Sequence, residues 1–372
     1  MRHMKCTCRV IADERELASC RDAWNDIAGD RVCLSWDWLS AWWQEMGQGE
    51  LAIIVVEDGL GQWVGLAPWY KTRVTGRGRV IYCMGNGMAC SDYVGAIAVP
   101  GYEAIVAEKI LEKISSSHPL FSNVDLFEIE GYLKNDPVMR RLCRSVSAGF
   151  AEVIEESIGG VWKTELKDDW EEYQGALRKS FRRKTRKATS RLLSNSFQVK
   201  TAKTTNQINQ LWPTFVELHQ RRRESLGQAG CFADPNFDAF LKLATLRLGE
   251  AGRTQLQVIY HEGVALASLL GFKAGDSLCL YQTGVDPECM DMEPGHINFC
   301  SIIQLAIKDS MKSVDFMRGD EPYKRFWNTE RADLFRTRWV PRRFSANLRY
   351  SLITTGQLFR NWVGHVGVLQ EC

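Results

Sequence analysis

The sequence predicts an α/β protein with mixed α+β sheet, built as tandem copies of one domain, each copy a twisted mixed sheet flanked by helices. Three observations lead there. Apolar runs of strand length alternate with stretches of helical period along the chain. The chain of 372 residues exceeds the roughly 250–300 at which a single core stops growing. Three landmarks recur at similar spacing: the turn Asp58-Gly59 returns as Glu262-Gly263, the helix opening Pro100-Gly101 as Pro294-Gly295, and the strand V-D-L-F at 124 as V-D-F-M at 314. Their offsets are 204, 194 and 190 residues, the mark of an internal duplication. The join is placed at Gly159-Gly160, giving domains 1–160 and 161–372.

The elements follow in order. Residues 5–11 alternate as a strand, and Asp13 caps a helical pattern through Trp24 and Ile27 to Gly29. Ser35 caps a second helix to Met46, with Gly47 as its stop. Leu51–Val56 and Trp63–Tyr70 form a hairpin about Asp58-Gly59. Strands are expected at 79–84 and 93–99, a helix after Pro100-Gly101, a strand at 124–129, a helix from Asp136-Pro137 and a strand at 150–154. In the second copy, helices cover 206–226 and 235–248, and strands cover 255–260, 264–272 and 278–284. A helix opens at Pro294-Gly295, and Val314–Met317 is the last strand.

Composition narrows the function. Hydrophobic content of 45% and charged content of 25% are ordinary globular values, and a net charge of +2 gives no global case for a polyanion partner. No apolar run reaches the ~20 residues of a membrane-spanning helix, and the start lacks a signal-peptide core, so stable membrane insertion is not expected and a cytoplasmic location is. Twelve scattered cysteines without a C-x-x-C pair read as reduced thiols, with no metal site. Six tryptophans between Trp36 and Trp69 read as core, or as lining for a cleft.

Two charged stretches break the duplication. After the strand Val314–Met317 come Arg318, Gly319, Asp320, Glu321, Pro322, Tyr323, Lys324 and Arg325. Two acids, a phenol and cations thus crowd a strand end, where open α/β sheets bind ligands. The plain alternative is a satisfied charged turn. Leu177–Lys187, L-R-K-S-F-R-R-K-T-R-K, follows an acidic run at 167–172 and reads as one helix with its charges ordered by the macrodipole. Eight of the fourteen residues from Arg178 to Arg191 are basic: a solvated face, or a surface for a phosphate-bearing ligand.

The blocks L-S-W-D-W-L-S-A-W-W (34–43), V-G-L-A-P-W-Y (64–70), S-D-Y (91–93), the basic 177–187, E-P-G (293–295) and R-G-D-E-P-Y-K-R-F-W (318–327) run over nearly the whole chain. Together they resemble the GNAT acyltransferase superfamily, and within it the CelD-like acetyltransferases of cellulose biosynthesis, which are related to the FemABX peptidyltransferases. The resemblance implies direct transfer of an acyl group from a thioester to an amine. It implies that acyl-coenzyme A (acyl-CoA) is the co-substrate, its pantetheine arm between the strands 278–284 and 314–317, with Thr283, Gly284, Pro294, Gly295, His296 and Ile297 around it. Glycine and free amides at a helix N-terminus suit its phosphates. It further implies that Tyr323 protonates the departing thiolate, that Lys324 holds an oxyanion or phosphate, and that Asp320 or Glu321 takes a proton from the amine, with His296 a rival base.

Asp92 and Tyr93, with Trp36, Arg182 and Arg183, are expected to bind the acceptor, and the first copy to serve as a binding wall. The loop at Pro294-Gly295 is shorter than the common GNAT fingerprint, which is also the case in FemABX relatives that use aminoacyl-tRNA. Three functions are therefore open: an acyl-CoA dependent N-acyltransferase acting on an amino sugar, amino acid or related small amine; an aminoacyl-tRNA dependent transferase; and a non-catalytic protein that binds a glycan or partner.

Overall fold

The computed structural model describes residues 5–352. The first half runs β1 (Thr7–Ile11), α1 (Glu14–Ser19), α2 (Arg21–Ala28), α3 (Trp36–Met46), β2 (Glu50–Leu51), β3 (Ile53–Glu57), β4 (Trp63–Ala67), β5 (Trp69–Val74) and β6 (Gly78–Cys83). It continues with β7 (Ile97–Ala98), α4 (Glu103–Ser115), β8 (Leu126–Leu133), α5 (Pro137–Gly149) and β9 (Ala151–Glu165). The second half runs α6 (Trp170–Ala176), α7 (Lys179–Leu192), β10 (Phe197–Thr201), α8 (Thr205–Glu224), α9 (Pro235–Glu250), β11 (Thr254–His261), β12 (Val264–Ala274) and β13 (Ser277–Val285). Last come α10 (Pro294–Lys308), β14 (Ser313–Arg318) and β15 (Glu330–Pro341).

The duplication is visible in the strand pairing. In the first half β5 pairs antiparallel with β6, which pairs parallel with β8 across α4. In the second, β12 pairs antiparallel with β13, which pairs parallel with β14 across α10. The copies then exchange their last strands. β9 spans the join, and its residues 161–165 lie against β14; β15, from the second half, lies against β8; and β9 and β15 pair with each other. One sheet of eleven strands results, in the order β10-β11-β12-β13-β14-β9-β15-β8-β6-β5-β2, beside a smaller sheet β1-β3-β4-β7. The expected join at Gly159-Gly160 lies inside β9, where Gly160 packs against the Arg331 side chain of β15.

Apolar burial ties the halves together. Trp38 of α3 is fully buried and meets Phe240, Phe272 and Tyr281 of the second half edge-on, at 5.0 to 5.6 Å. Such pairs add about 1 kcal/mol each beyond their buried area. Of the six tryptophans from Trp36 to Trp69, Trp38, Trp42, Trp43 and Trp69 are core residues, while Trp36 and Trp63 are half-buried. All described cysteines are free thiols. No helix among the described residues is long and apolar enough to cross a membrane.

Several expected elements are redrawn. The first helical pattern is two helices, interrupted at Cys20. The acidic and basic stretches are also two helices, α6 and α7, because Leu177 takes an extended conformation (φ −69°, ψ 153°) and buries its side chain. The expected strand 93–99 shrinks to the two residues of β7, and Pro68 divides the expected strand 63–70 into β4 and β5. β10 and β15 were not anticipated.

Candidate active site

β13 and β14 pair only from Ser277/Ser313 to Cys279/Asp315 and then part. A cleft of about 660 Å³ opens beyond the parting, at the N-terminus of α10. Thr283 of β13, Pro294, Gly295, His296 and Phe299 of α10, and Tyr323 line it, closed on one side by Ser180, Phe181 and Lys184 of α7. Arg222 of α8 also contributes. The cleft therefore has an aromatic floor and a cationic rim, suited to a ligand with an apolar arm and a phosphate end.

Tyr323 stacks on Phe299 (ring centroids 5.2 Å apart, 21° between planes). Burial pushes its pKa up, and Glu321 adds to the rise. The phenol thus stays protonated at neutral pH and can act as an acid. His296 is pushed down to about 4, chiefly by burial and then by Lys184, and its ring stacks on Trp327. A base so weak is mismatched to neutral pH. At the start of α10 the amides of His296 and Ile297 both reach the Glu293 carbonyl (3.0 and 3.2 Å), while the Glu293 carboxylate pairs with Lys184 at 2.6 Å. Lys184 and Arg222 are the cations that line the cleft, and Glu293, the partner of Lys184, lines it with them.

The charged turn after β14 divides by role. Lys324 is 2% exposed, and its ammonium donates to the carbonyls of Met317 (3.2 Å), Arg318 (2.8 Å) and Gly319 (3.0 Å), with Glu321 at 3.0 Å. Its protons are committed to backbone, which corrects the expectation that it would hold an oxyanion or phosphate. Asp320 is paired with Arg331 at 2.9 Å and accepts from the Trp162 indole at 3.1 Å. Arg331 holds its carboxyl below the usual range, so it is too weak a base for the role expected of it. Glu321 is the partner of Lys324 and does not line the cleft.

Lys324 secures a bulge in β14. The register slips between Asp315 and Arg318, and Met317 takes a left-handed φ of 55°, a strained choice for a residue with a side chain. Lys324 binds the Met317 carbonyl from one side, and from the other the Met317 amide donates to Asp315 Oδ1 at 2.7 Å. Bulges are common beside functional sites, and this one borders a second cavity, which Asp315 and Met317 line.

That cavity, about 460 Å³, lies between the halves on the face of β13 and β14 opposite α10. Leu278, Leu280, Val314 and Phe316 pack with α10 residues, whereas the alternate residues Cys279 and Asp315 line the cavity. The first half supplies Asp92 and Tyr93. Asp92 is nearly fully buried and is held by the Arg318 amide and guanidinium, both at 2.8 Å. Tyr93 donates its hydroxyl to Asp315. Asp315 is 4% exposed, makes no ion pair among the described residues, and is raised to about 6 by burial, with Asp92 adding to the rise.

Among the expected donor-binding residues, Thr283, Pro294, Gly295 and His296 come together in the cleft with Tyr323. Ile297 is instead a core residue. Gly284 packs on α8, where a Cβ would fall 2.5 Å from the His219 amide nitrogen. Of the expected acceptor-binding residues, Asp92 and Tyr93 share the second cavity. Trp36 lines neither space: its indole donates to the Leu17 carbonyl, and Arg21 and Arg247 lie over its ring. Arg182 donates to the Gly175 carbonyl and Arg183 points to solvent, while their neighbours Phe181 and Lys184 face the cleft. Asp315 was missed as a site residue. Its signal was available, since an aspartate inside the apolar strand V-D-F-M must be paired or functional.

Residues 176–325 match the family model described as an acetyltransferase (GNAT) domain. No curated protein matches the chain. Among solved structures, FemX is similar with a TM-score of 0.60 at 13% identity, covering 89% of this chain and 96% of that one. A conserved protein of unknown function from Bacteroides thetaiotaomicron gives 0.56 at 11% identity, over 89% and 100%. L-PGS from Bacillus licheniformis gives 0.53 at 10% identity, over 93% and 96%. These likenesses concern the fold, and they extend across both halves.

Proposed function

We propose that this protein is a cytoplasmic N-acyltransferase that moves an acyl group from acyl-CoA to the amine of an amino sugar, amino acid or related metabolite, as CelD-like acetyltransferases of polysaccharide biosynthesis do. The parting of β13 from β14 over a cleft that holds both a protonated tyrosine and two cations carries this reading. Thr283, Gly295 and Phe299 would flank the pantetheine arm, and Lys184 and Arg222 would meet the phosphates. When bound, the thioester supplies an activated acyl carbon. Tyr323 then supplies the proton that lets the thiolate leave, and the aromatic floor keeps water from competing.

The match of residues 176–325 to the acetyltransferase family model supports the reaction class. Isothermal titration tests the donor: acetyl-CoA and free CoA should both bind, and absence of heat with either would sink this reading.

A second reading rests on the basic helix α7, where Arg183, Arg186 and Lys187 are exposed beside the cleft. An aminoacyl-tRNA donor would use them against its backbone, and the resemblance in fold to FemX is compatible with that donor. Such binding would weaken steeply with salt, so tRNA affinity that is flat from low to high salt would exclude it.

A further inference from the structure

We propose that the cavity between the halves is the acceptor pocket and that it takes a compact primary amine carried on an apolar body, with the ammonium set against Asp315. This rests on the transferase reading and narrows its acceptor, from amino sugars and amino acids at large to amines whose body is apolar. Three features of the cavity lead to it.

Asp315 lies opposite Lys163 in the ladder, and Arg31 and Arg331 line the same cavity, yet none of these cations forms an ion pair with it among the described residues. Asp92 is neutralised by Arg318, but Asp315 has only the Tyr93 hydroxyl and the Met317 amide as hydrogen-bond partners. Each Asp315 oxygen accepts one bond and keeps capacity for another. The groups around Asp315 are Tyr93 and Asp92 from the first half, Cys33 between α2 and α3, Cys279 of β13 and Lys163 of β9, and Asp30, Arg31, Glu330 and Arg331 complete the titratable and charged lining of the cavity. Lys163 is half exposed and lies 3.9 Å from Glu165. A buried carboxylate left in this state favours a cation brought by the ligand.

Most of the lining is apolar, from Val32, Leu133, Val161, Ala274, Met317 and Ala332, and charged groups of both signs, Asp30, Arg31, Lys163, Glu330 and Arg331, share it. A volume of about 460 Å³ suits a small molecule. The position is also suitable, because the cavity and the donor cleft lie on opposite faces of the two strands that part. An amine held at Asp315 stands at one side of the gap and the acyl donor at the other.

The proton balance closes. The ammonium gives one proton to the Asp315 carboxylate, and the freed nitrogen lone pair forms the C–N bond as the C–S bond of the thioester breaks. The leaving sulfur takes the Tyr323 proton, the second amine proton restores the phenol, and Asp315 releases its own to solvent.

Isothermal titration of the full chain with isopentylamine, cyclohexylmethylamine and 2-phenylethylamine, at pH 7.5 and pH 5, tests the pocket without any donor. At least one amine should bind at pH 7.5, with affinity falling about tenfold at pH 5 as Asp315 takes up its proton. The neutral 2-phenylethanol should bind at least tenfold more weakly than 2-phenylethylamine. Asp315→Asn should lose about tenfold, and so should Ala332→Trp, which fills the cavity from an exposed position of β15 and spares the buried carboxylates. No heat from any of the three amines, or binding that both variants leave intact, would overturn the proposal. If acetyl-CoA binds and the amines do not, the pocket assignment fails alone. If the amines bind and acetyl-CoA does not, the donor reading fails and the pocket stands.

Discussion

Lys324 donates to three successive main-chain carbonyls, a position that no lysine free to contact substrate could occupy. Its type and its place after β14 suggested chemistry; its burial assigns it to holding the bulge at Met317. Lys324→Met should therefore lower stability by about 2–4 kcal/mol in a denaturant titration, because the buried carbonyls lose their donor. Tyr323 lines the cleft, where the proposed donor would lie. Tyr323→Phe should cut kcat about 100-fold in an acyl-transfer assay with KM for the donor nearly unchanged, since only the departing thiolate needs the hydroxyl. The sequence marked which residues were chemically able and where they clustered. It could not show which protons were already committed, since Asp320, Glu321 and Lys324 are engaged by Arg331, by one another and by backbone.

At the scale of elements, strands with one-sided apolar patterning were legible and strands that pair through charge were not. β15 reads E-R-A-D-L-F-R-T-R-W-V-P, with no run that suggests a strand. In place, Arg336 pairs with Glu130 and Glu156, and Arg338 with Glu128 and Glu156, across its two neighbours. Those partners lie some 180 to 210 residues away, so no local pattern could announce them. The basic stretch was legible as helix, but its facing was not, because the break at Leu177 sets which side of α7 meets the cleft. Lys184→Ala combined with Arg222→Ala should raise KM for acyl-CoA about tenfold with little change in kcat, and the difference from wild type should shrink at high salt.

For the whole molecule, buried titratable groups set how stability depends on pH. His219 and His296 are both pushed down to about 4 by burial. Their folded values lie below the unfolded value near 6.5, so the stability they contribute is full above pH 6.5 and is lost as pH falls towards 4. Asp315, raised to about 6, acts in the opposite sense: its penalty is full above pH 6 and vanishes below about 4. His118 is lowered like the other two histidines, and burial raises Asp92 and Asp136 as it does Asp315; removing one of the opposing carboxyls, Asp315→Asn should make the melting temperature fall more steeply, or rise less, between pH 6.5 and 4 than in the wild type. The exchanged strands bear on cooperativity. Residues 1–160 and 161–372 expressed separately should each fail to give a folded monomer by size-exclusion chromatography, because β8 would lack β15, and β15 would lose β8 and the part of β9 from Ala151 to Gly160. Mixed during refolding, they should recover one species.

The same exchange governs how the cavity can be entered. β9 and β15 hydrogen-bond along most of their lengths, from Glu330/Lys163 to Pro341/Ala151, and each is also bonded to the opposite copy. Opening the halves like jaws would tear that ladder along its length, so the molecule has no hinge at its middle. Its acceptor space is a socket of fixed gauge. Molecules too large for it are excluded at the rim, and the ranking of acceptors should follow their cross-section more closely than their flexibility.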